Sequence, residues 1–141
     1  MIFLRTLTAC ILAAFCTANA SAENRVHKCS SDMATGILKN AQTGRWEEGA
    51  FQLVEFTIAG ALDAASFEMK LTHPASDTTL ECNQLPRTNS IGCQTSLVES
   101  GIGNTFMLDL DSSRFILVYT GVFSFLLGDE TSILYAGTCD T

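Results

Sequence analysis

Few side chains in this sequence are of types that carry out acid–base or nucleophilic chemistry near neutral pH. The chain has two histidines, His27 and His73, and imidazole is the side chain that changes its charge closest to neutrality. They lie far apart in sequence, and His73 precedes Pro74 in a predicted turn. No G-x-S-x-G sequence is present to hold a serine nucleophile on a sharp turn. A binding role is therefore expected before an enzymatic one.

The acidic residues offer two other kinds of chemistry. The segment from Asp109 to Ser113 has side-chain oxygens at alternating positions, as calcium loops do, but Arg114 and Thr120 stand where an EF-hand requires glycine and glutamate. We interpret the segment as a polar turn and predict neither a metal nor a cofactor. A pair of carboxylates could also hydrolyse a glycoside, which leaves a small exported hydrolase as an alternative.

Four cysteines remain once the two in the N-terminal segment are set aside, namely Cys29, Cys82, Cys93 and Cys139. An even number in an exported domain indicates two disulfides, for which three connectivities exist. We favour Cys29–Cys139, which ties the chain ends together, and Cys82–Cys93, which closes a short loop. The cysteines lack C-x-x-C spacing, which argues against a zinc site.

Two loops are candidates for binding. Arg87 follows the rigid Pro86 inside the predicted short disulfide loop, where a pre-organised segment loses less entropy on binding and arginine is frequent at interface hot spots. The second loop runs from Ser100 to Asn104 and is rich in glycine, which is typical of turns with positive φ. We predict Arg87, Ser100, Gly101 and Asn104 as binding residues.

The second loop carries a family resemblance. The sequence Ser100-Gly101-Ile102-Gly103, followed by Phe106 and a C-terminal cysteine, resembles periplasmic lysozyme inhibitors of the small β-barrel kind. In that family a serine-glycine loop enters the lysozyme cleft, so the resemblance implies that role for Ser100. The aromatic-lysine-glycine stretch that the family carries downstream has no counterpart here, because Ile116 and Leu117 occupy the corresponding positions.

Residues 1–22 have the pattern of a signal peptide. Arg5 is the only charged residue before Glu23, an apolar run follows it, and Ala-x-Ala cleavage sequences end at Ala20 and Ala22. The apolar run is shorter than the roughly 20 residues of a spanning helix. We predict export to the periplasm or beyond the cell, and no transmembrane segment in the mature chain.

Charge and length limit what the predicted mature chain, residues 23–141, binds. Its length suits one domain with a hydrophobic core. The full chain has a net charge of −7, and removal of Arg5 makes the mature chain more acidic still. An acidic surface repels nucleic acid, so we predict a protein or an envelope component as the partner.

The dominant pattern of the mature chain is alternation of apolar and polar residues between turn sequences. It predicts strands over Phe51 to Ile58, Ser66 to Thr72, Thr79 to Asn83, Ile91 to Leu97, Thr105 to Leu110, Arg114 to Tyr119, Val122 to Leu127 and Ser132 to Cys139. The region from Ser30 to Glu48 is the least regular and is expected to hold a short helix or strand and then a turn. Trp46 is expected to cap one end of the core.

These strands predict an all-β fold, a small antiparallel barrel or sandwich of about seven or eight strands stabilised by disulfides. The leading hypothesis is a non-enzymatic exported β domain that binds a macromolecule, as an inhibitor or an envelope component. An alternative is a carrier of a small apolar ligand, which needs space among the phenylalanine side chains of the interior: Phe56, Phe67, Phe106, Phe115 and Phe123.

Overall fold

A computed structural model of the chain describes residues 24–74, 76–95, 103–120 and 131–141. These residues form nine β-strands: β1 Arg25–Lys39, β2 Trp46–Gly49, β3 Glu55–Gly60, β4 Ser66–His73, β5 Ser76–Gln84, β6 Ser90–Gln94, β7 Gly103–Asp109, β8 Arg114–Thr120 and β9 Thr131–Cys139. The predicted strand over Val122 to Leu127 lies outside the described residues.

Eight of the strands close into an antiparallel barrel. The order of the sheet is β2-β1-β3-β4-β5-β6-β7-β8-β9, and β1 also pairs with β9, which joins the two ends of the sheet. The remaining strand, β2, pairs with β1 beyond the point where β3 stops. The prediction of an all-β fold is confirmed, and of the two architectures left open by the sequence the chain adopts the barrel. Closure satisfies the backbone groups that an open sheet would leave at its edges.

Strand β1 explains why the region from Ser30 to Glu48 is hard to interpret from sequence. It contains a register shift between Ser31 and Met33, where a β-bulge accommodates the extra residue Asp32. The bulge exchanges the two faces of the strand, so that Cys29 and Ser31 are buried before it and Met33 is 46% exposed after it. A continuous alternation is therefore absent, although the segment is one strand of 15 residues.

The barrel core is built from the inward side chains of the strands that alternate most regularly. Phe56, Phe106 and Phe115 form its centre, with ring centroids 6.2 Å, 5.1 Å and 5.8 Å apart. Aliphatic side chains from the other strands complete it: Ile58, Met69, Leu71, Leu80, Ile91, Leu108 and Leu117. The burial of these side chains is the main favourable contribution to folding.

Both predicted disulfides are present. Cys29–Cys139 joins the first and last strands of the barrel at positions that are direct partners in the β1–β9 pairing. Cys82–Cys93 joins β5 and β6 in the same manner. All four residues are buried with the hydrophobic core, and disulfide pairs of this kind are typical of proteins that fold in an oxidising compartment.

Two expectations about the N-terminal half are wrong. Trp46 does not cap the core but lies in β2 and is 52% exposed, because β2 has only β1 as a partner among the described strands. The strand predicted over Phe51 to Ile58 begins instead at Glu55. Val54, the residue before this strand, bonds to β1 outside the regular ladder. Its N–H donates to the Ser31 hydroxyl at 2.8 Å.

Within the described ranges, no helix is long and apolar enough to cross a membrane.

Candidate interaction site

The predicted binding residues lie at opposite ends of the barrel. Arg87 is in the turn between β5 and β6, whereas Asn104 is the second residue of β7, at the other end. The length of β7, 7 residues, separates the two ends by about 20 Å. Ser100 and Gly101 lie outside the described residues. The fold therefore does not bring Arg87 and Asn104 into one site.

At its own end of the barrel, Arg87 occupies a tight hairpin. The Leu85 N–H donates to the Ser90 carbonyl at 2.9 Å, and the Cys82–Cys93 bridge lies directly behind. Arg87 has a φ of 69°, the left-handed conformation that is uncommon for residues other than glycine. Its side chain is exposed, so this end presents a cation on a rigid turn.

The neighbouring turn from Asp109 to Ser113 satisfies its own polar groups. One Asp109 carboxylate oxygen accepts from the Ser112 hydroxyl at 2.6 Å and the other from the Asp111 N–H at 3.2 Å. The Asn89 amide donates to Asp111 at 2.6 Å. The bonds from Ser112 and from the Asp111 N–H, led by that from Ser112, hold the pKa of Asp109 below its ordinary value. Across the part of the chain that is described, no His, Cys, Asp and Glu side chains gather as a metal site would require.

At the opposite end, Asn104 has an unusual environment. Its backbone pairs with Thr95: the Thr95 N–H donates to the Asn104 carbonyl at 3.0 Å, and the Asn104 N–H donates to the Thr95 hydroxyl at 3.0 Å. The Asn104 side-chain oxygen, however, is buried without a hydrogen-bond partner among the described residues. Buried acceptors without a partner are rare and often mark functional positions.

Two tyrosines belong to the same end of the interior. Tyr119 is the direct cross-strand partner of Asn104, and Tyr135 lies on the adjacent strand β9. Burial raises the pKa of Tyr135, and the neighbouring hydroxyl of Tyr119 raises it further. The core therefore becomes polar toward this end, where two phenols and an amide replace the hydrocarbon of the centre.

One outer wall of the barrel has no charged residue at twelve of its described outward positions, and we call it the uncharged face. It comprises the outward positions of four adjacent strands, identified by their register: Met33, Thr35 and Ile37 of β1; Ser132, Leu134 and Ala136 of β9; Ile116, Val118 and Thr120 of β8; and Gly103, Thr105 and Met107 of β7. Directly paired residues project from the same side of a sheet, so these twelve positions form one continuous surface.

Large apolar side chains are exposed on this face. Ile116 and Met107 are each 45% exposed, as is Ile37. Trp46 extends the face across β2, since it pairs with Lys39 on the same side of the sheet as Ile37. A depression of about 490 Å³ lies beside β2, between residues of β1, β8 and β9 and Glu48 of β2. Single exposed apolar residues are ordinary, but a contiguous group of them marks an interaction surface.

Charged residues border the face at both ends. At one end Arg114 and Asp32 are paired at 3.8 Å between Nη2 and Oδ2. At the other end Lys39 and Glu48 stand on neighbouring strands. An apolar centre with a polar rim is the usual arrangement of a protein interface.

This face was not predicted from the sequence. The run from Phe115 to Val118 is apolar on both sides of β8, and a strand of that kind is ordinarily expected to be buried on both sides. The sequence did contain one indication of it. Met107 alternates with the buried residues Phe106 and Leu108 in β7, so an apolar side chain is outward on this strand as well as on β8.

The chain matches no family model, no curated protein and no solved structure.

Proposed function

We propose that this chain is an exported, disulfide-stabilised β-barrel whose function is to bind another protein through the uncharged face. The observation that carries the proposal is the row formed by Met33, Ala136, Ile116 and Met107, in which four consecutive strands present apolar or small residues to solvent. Leaving such a row in water has a free-energy cost that contact with a partner removes.

Rigidity supports the same proposal. The face is built on a closed barrel, and its β1–β9 pairing is fixed by the Cys29–Cys139 bond. A surface on regular strands loses little conformational entropy when a partner docks. A binding protein of this kind needs no catalytic group.

Localisation is part of the proposal. The two disulfides favour an oxidising compartment, and the signal-peptide pattern of residues 1–22 favours export. We propose the periplasm as the destination, where a partner would be another envelope protein. The role of Ser100 implied by the resemblance to lysozyme inhibitors stays a prediction.

The alternative functions have less support. A ligand carrier needs space among the phenylalanine rings, but Phe56, Phe106 and Phe115 contact one another and occupy the centre of the interior. A glycosidase needs two carboxylates within a cleft. Glu68 and Glu81 are direct cross-strand partners, but both are exposed on an outer wall of the sheet.

Site-specific photo-cross-linking in living cells of the source tests the proposal. A photoreactive residue replaces Ile116, and in a second variant it replaces Thr79, which is an exposed strand residue on the opposite wall. We expect a discrete adduct from position 116 and none from position 79. Adding Met107→Glu to the first variant should remove the adduct, because it places a charge beside the reactive group. Equal labelling from both positions, or none from position 116, would contradict the proposal.

A further inference from the structure

We infer that the partner of the uncharged face is a second copy of this chain, so that the protein forms a symmetric dimer. The inference rests on the proposed function and names the occupant of the same surface. In a two-fold dimer the same patch is used by both copies, so the face must be compatible with itself in charge and shape.

Charge decides where a second copy can approach. The full chain carries a net charge of −7, and two such molecules repel each other over most of their surface. The outer wall of β3, β4 and β5 carries Glu55, Glu68, Asp77 and Glu81 with only Lys70 to offset them. Lys70 is already paired with Asp77 at 2.6 Å. A basic partner would be drawn to that wall, whereas a second acidic copy would be excluded from it.

The uncharged face lacks this repulsion. None of its twelve positions is charged. Among the described residues, one end has Arg114 with Asp32 and Asp109, and the other has Lys39 with Glu48. A two-fold axis superposes the face on itself. An axis that exchanges the two ends sets the acidic end against the end where the two charges cancel, and apolar side chains meet at the centre.

The shape of the face suits the same arrangement. Ala136 is small and its cross-strand partner Ile116 is long, so two copies of the wall can interdigitate as stacked sheets do. Four strands of about five residues cover roughly 19 Å by 17 Å. That is below the area of a standard interface, about 800 Å² per partner. We therefore expect a weak dimer that depends on concentration.

Sedimentation equilibrium of the purified oxidised protein tests the inference. The average mass should rise from one chain toward two as the concentration increases from about 1 µM to about 1 mM, the range in which small interfaces assemble. Raising sodium chloride from about 0.05 M to about 0.5 M should strengthen the dimer, because salt screens the repulsion between the acidic walls and leaves apolar contact intact. A complex with a basic partner would weaken under the same change.

Ile116→Glu should weaken the dimer at least about tenfold, because it places an unpaired carboxylate in each half of the interface. The matched control is Thr79→Glu, which adds the same charge on the opposite wall beside Lys70 and should dimerise like the wild type. A wild type that stays monomeric, or an Ile116→Glu variant that dimerises equally well, would overturn the inference.

The two proposals fail in distinguishable ways. A cross-linked adduct from position 116 with twice the mass of the chain supports both. An adduct with a different protein, together with a monomer in sedimentation, retains the proposed function and rules out the second copy. The absence of any adduct from position 116, with a monomer in sedimentation, rejects both.

Discussion

Cys29 and Cys139 are direct partners in the antiparallel pairing of β1 with β9, and the disulfide between them therefore lies across the seam at which the barrel closes. The other neighbouring barrel strands follow one another along the chain, with only β2 intervening between β1 and β3, whereas this seam joins the first strand to the last. Closure of the seam brings together residues that are 110 positions apart. The seam is thus the part of the fold with the largest loop-closure entropy cost.

Loss of this bridge should be more destabilising than loss of the other. Replacing Cys29 and Cys139 with alanine is expected to lower the free energy of unfolding by about 4–5 kcal/mol, and replacing Cys82 and Cys93 by about 3 kcal/mol, because the longer loop gains more entropy when it is released. Urea denaturation followed by circular dichroism measures both variants. A larger loss from the Cys82–Cys93 pair, which spans 11 residues, would show that loop length does not control the effect.

The aromatic centre gives a second prediction. Phe106 is fully buried and contacts the rings of Phe56 and Phe115, so Phe106→Ala should cost about 3–5 kcal/mol through lost burial and the cavity that remains. Phe67 lies on the partly buried margin of the same core, so Phe67→Ala should cost clearly less. The midpoint of urea unfolding compares them, and equal losses would place the centre of the core elsewhere.

The central strands of the barrel were predictable because one side of each is buried. Phe106 and Leu108 alternate with exposed residues in β7, and Phe115 and Leu117 do so in β8, and period two is the signal that sequence analysis detects best. The Cys29–Cys139 disulfide was predicted because it joins the two ends of the chain, and the Cys82–Cys93 disulfide because it closes a short loop. Strand β1 was not predictable, because the bulge at Asp32 reverses its faces and no residue type marks a bulge reliably.

The candidate site depended on information that a single sequence does not contain. Met107 and Ile116 are direct partners, and Ile116 also pairs with Ala136, but only the register shows that they form one surface. Their apolar character alone suggests burial. The loop residues Arg87 and Asn104 were selected because of their residue types, and topology separates them by the length of the barrel.

The polar turn at the Arg87 end gives a pH prediction. The pKa of Asp109 is lowered from 3.8, chiefly by the Ser112 hydroxyl and then by the Asp111 N–H. A carboxyl group whose pKa is depressed in the folded protein stabilises it above the ordinary pKa, and this stabilisation is lost as the pH falls through the lowered value. Ser112→Ala should therefore reduce stability at neutral pH and have no effect at a pH well below the lowered pKa.

Urea midpoints of the wild type and of Ser112→Ala, measured from neutral pH down to about pH 2, give the dependence directly. The difference between the two proteins should shrink as Asp109 becomes protonated. Asp109→Asn supplies the control, since it should remove the dependence on Ser112 that comes from the charge. A difference that stays constant with pH would mean that Ser112 acts through packing rather than through the carboxylate.

The last prediction concerns the paired positions Asn104 and Thr95. Because the Asn104 side-chain oxygen is buried with no partner in the part of the chain that the structure describes, Asn104→Leu should raise the free energy of unfolding by about 1 kcal/mol by removing a desolvated acceptor. Thr95→Val should instead lower it by about 1–2 kcal/mol, since the Thr95 hydroxyl accepts from the Asn104 N–H at 3.0 Å and its loss leaves that donor unpaired. Thermal or urea unfolding of the two variants should thus give changes of opposite sign at neighbouring positions. If Asn104→Leu also destabilises the protein, the amide has a structural partner, and the polar end of the interior is part of the scaffold rather than a position retained for binding.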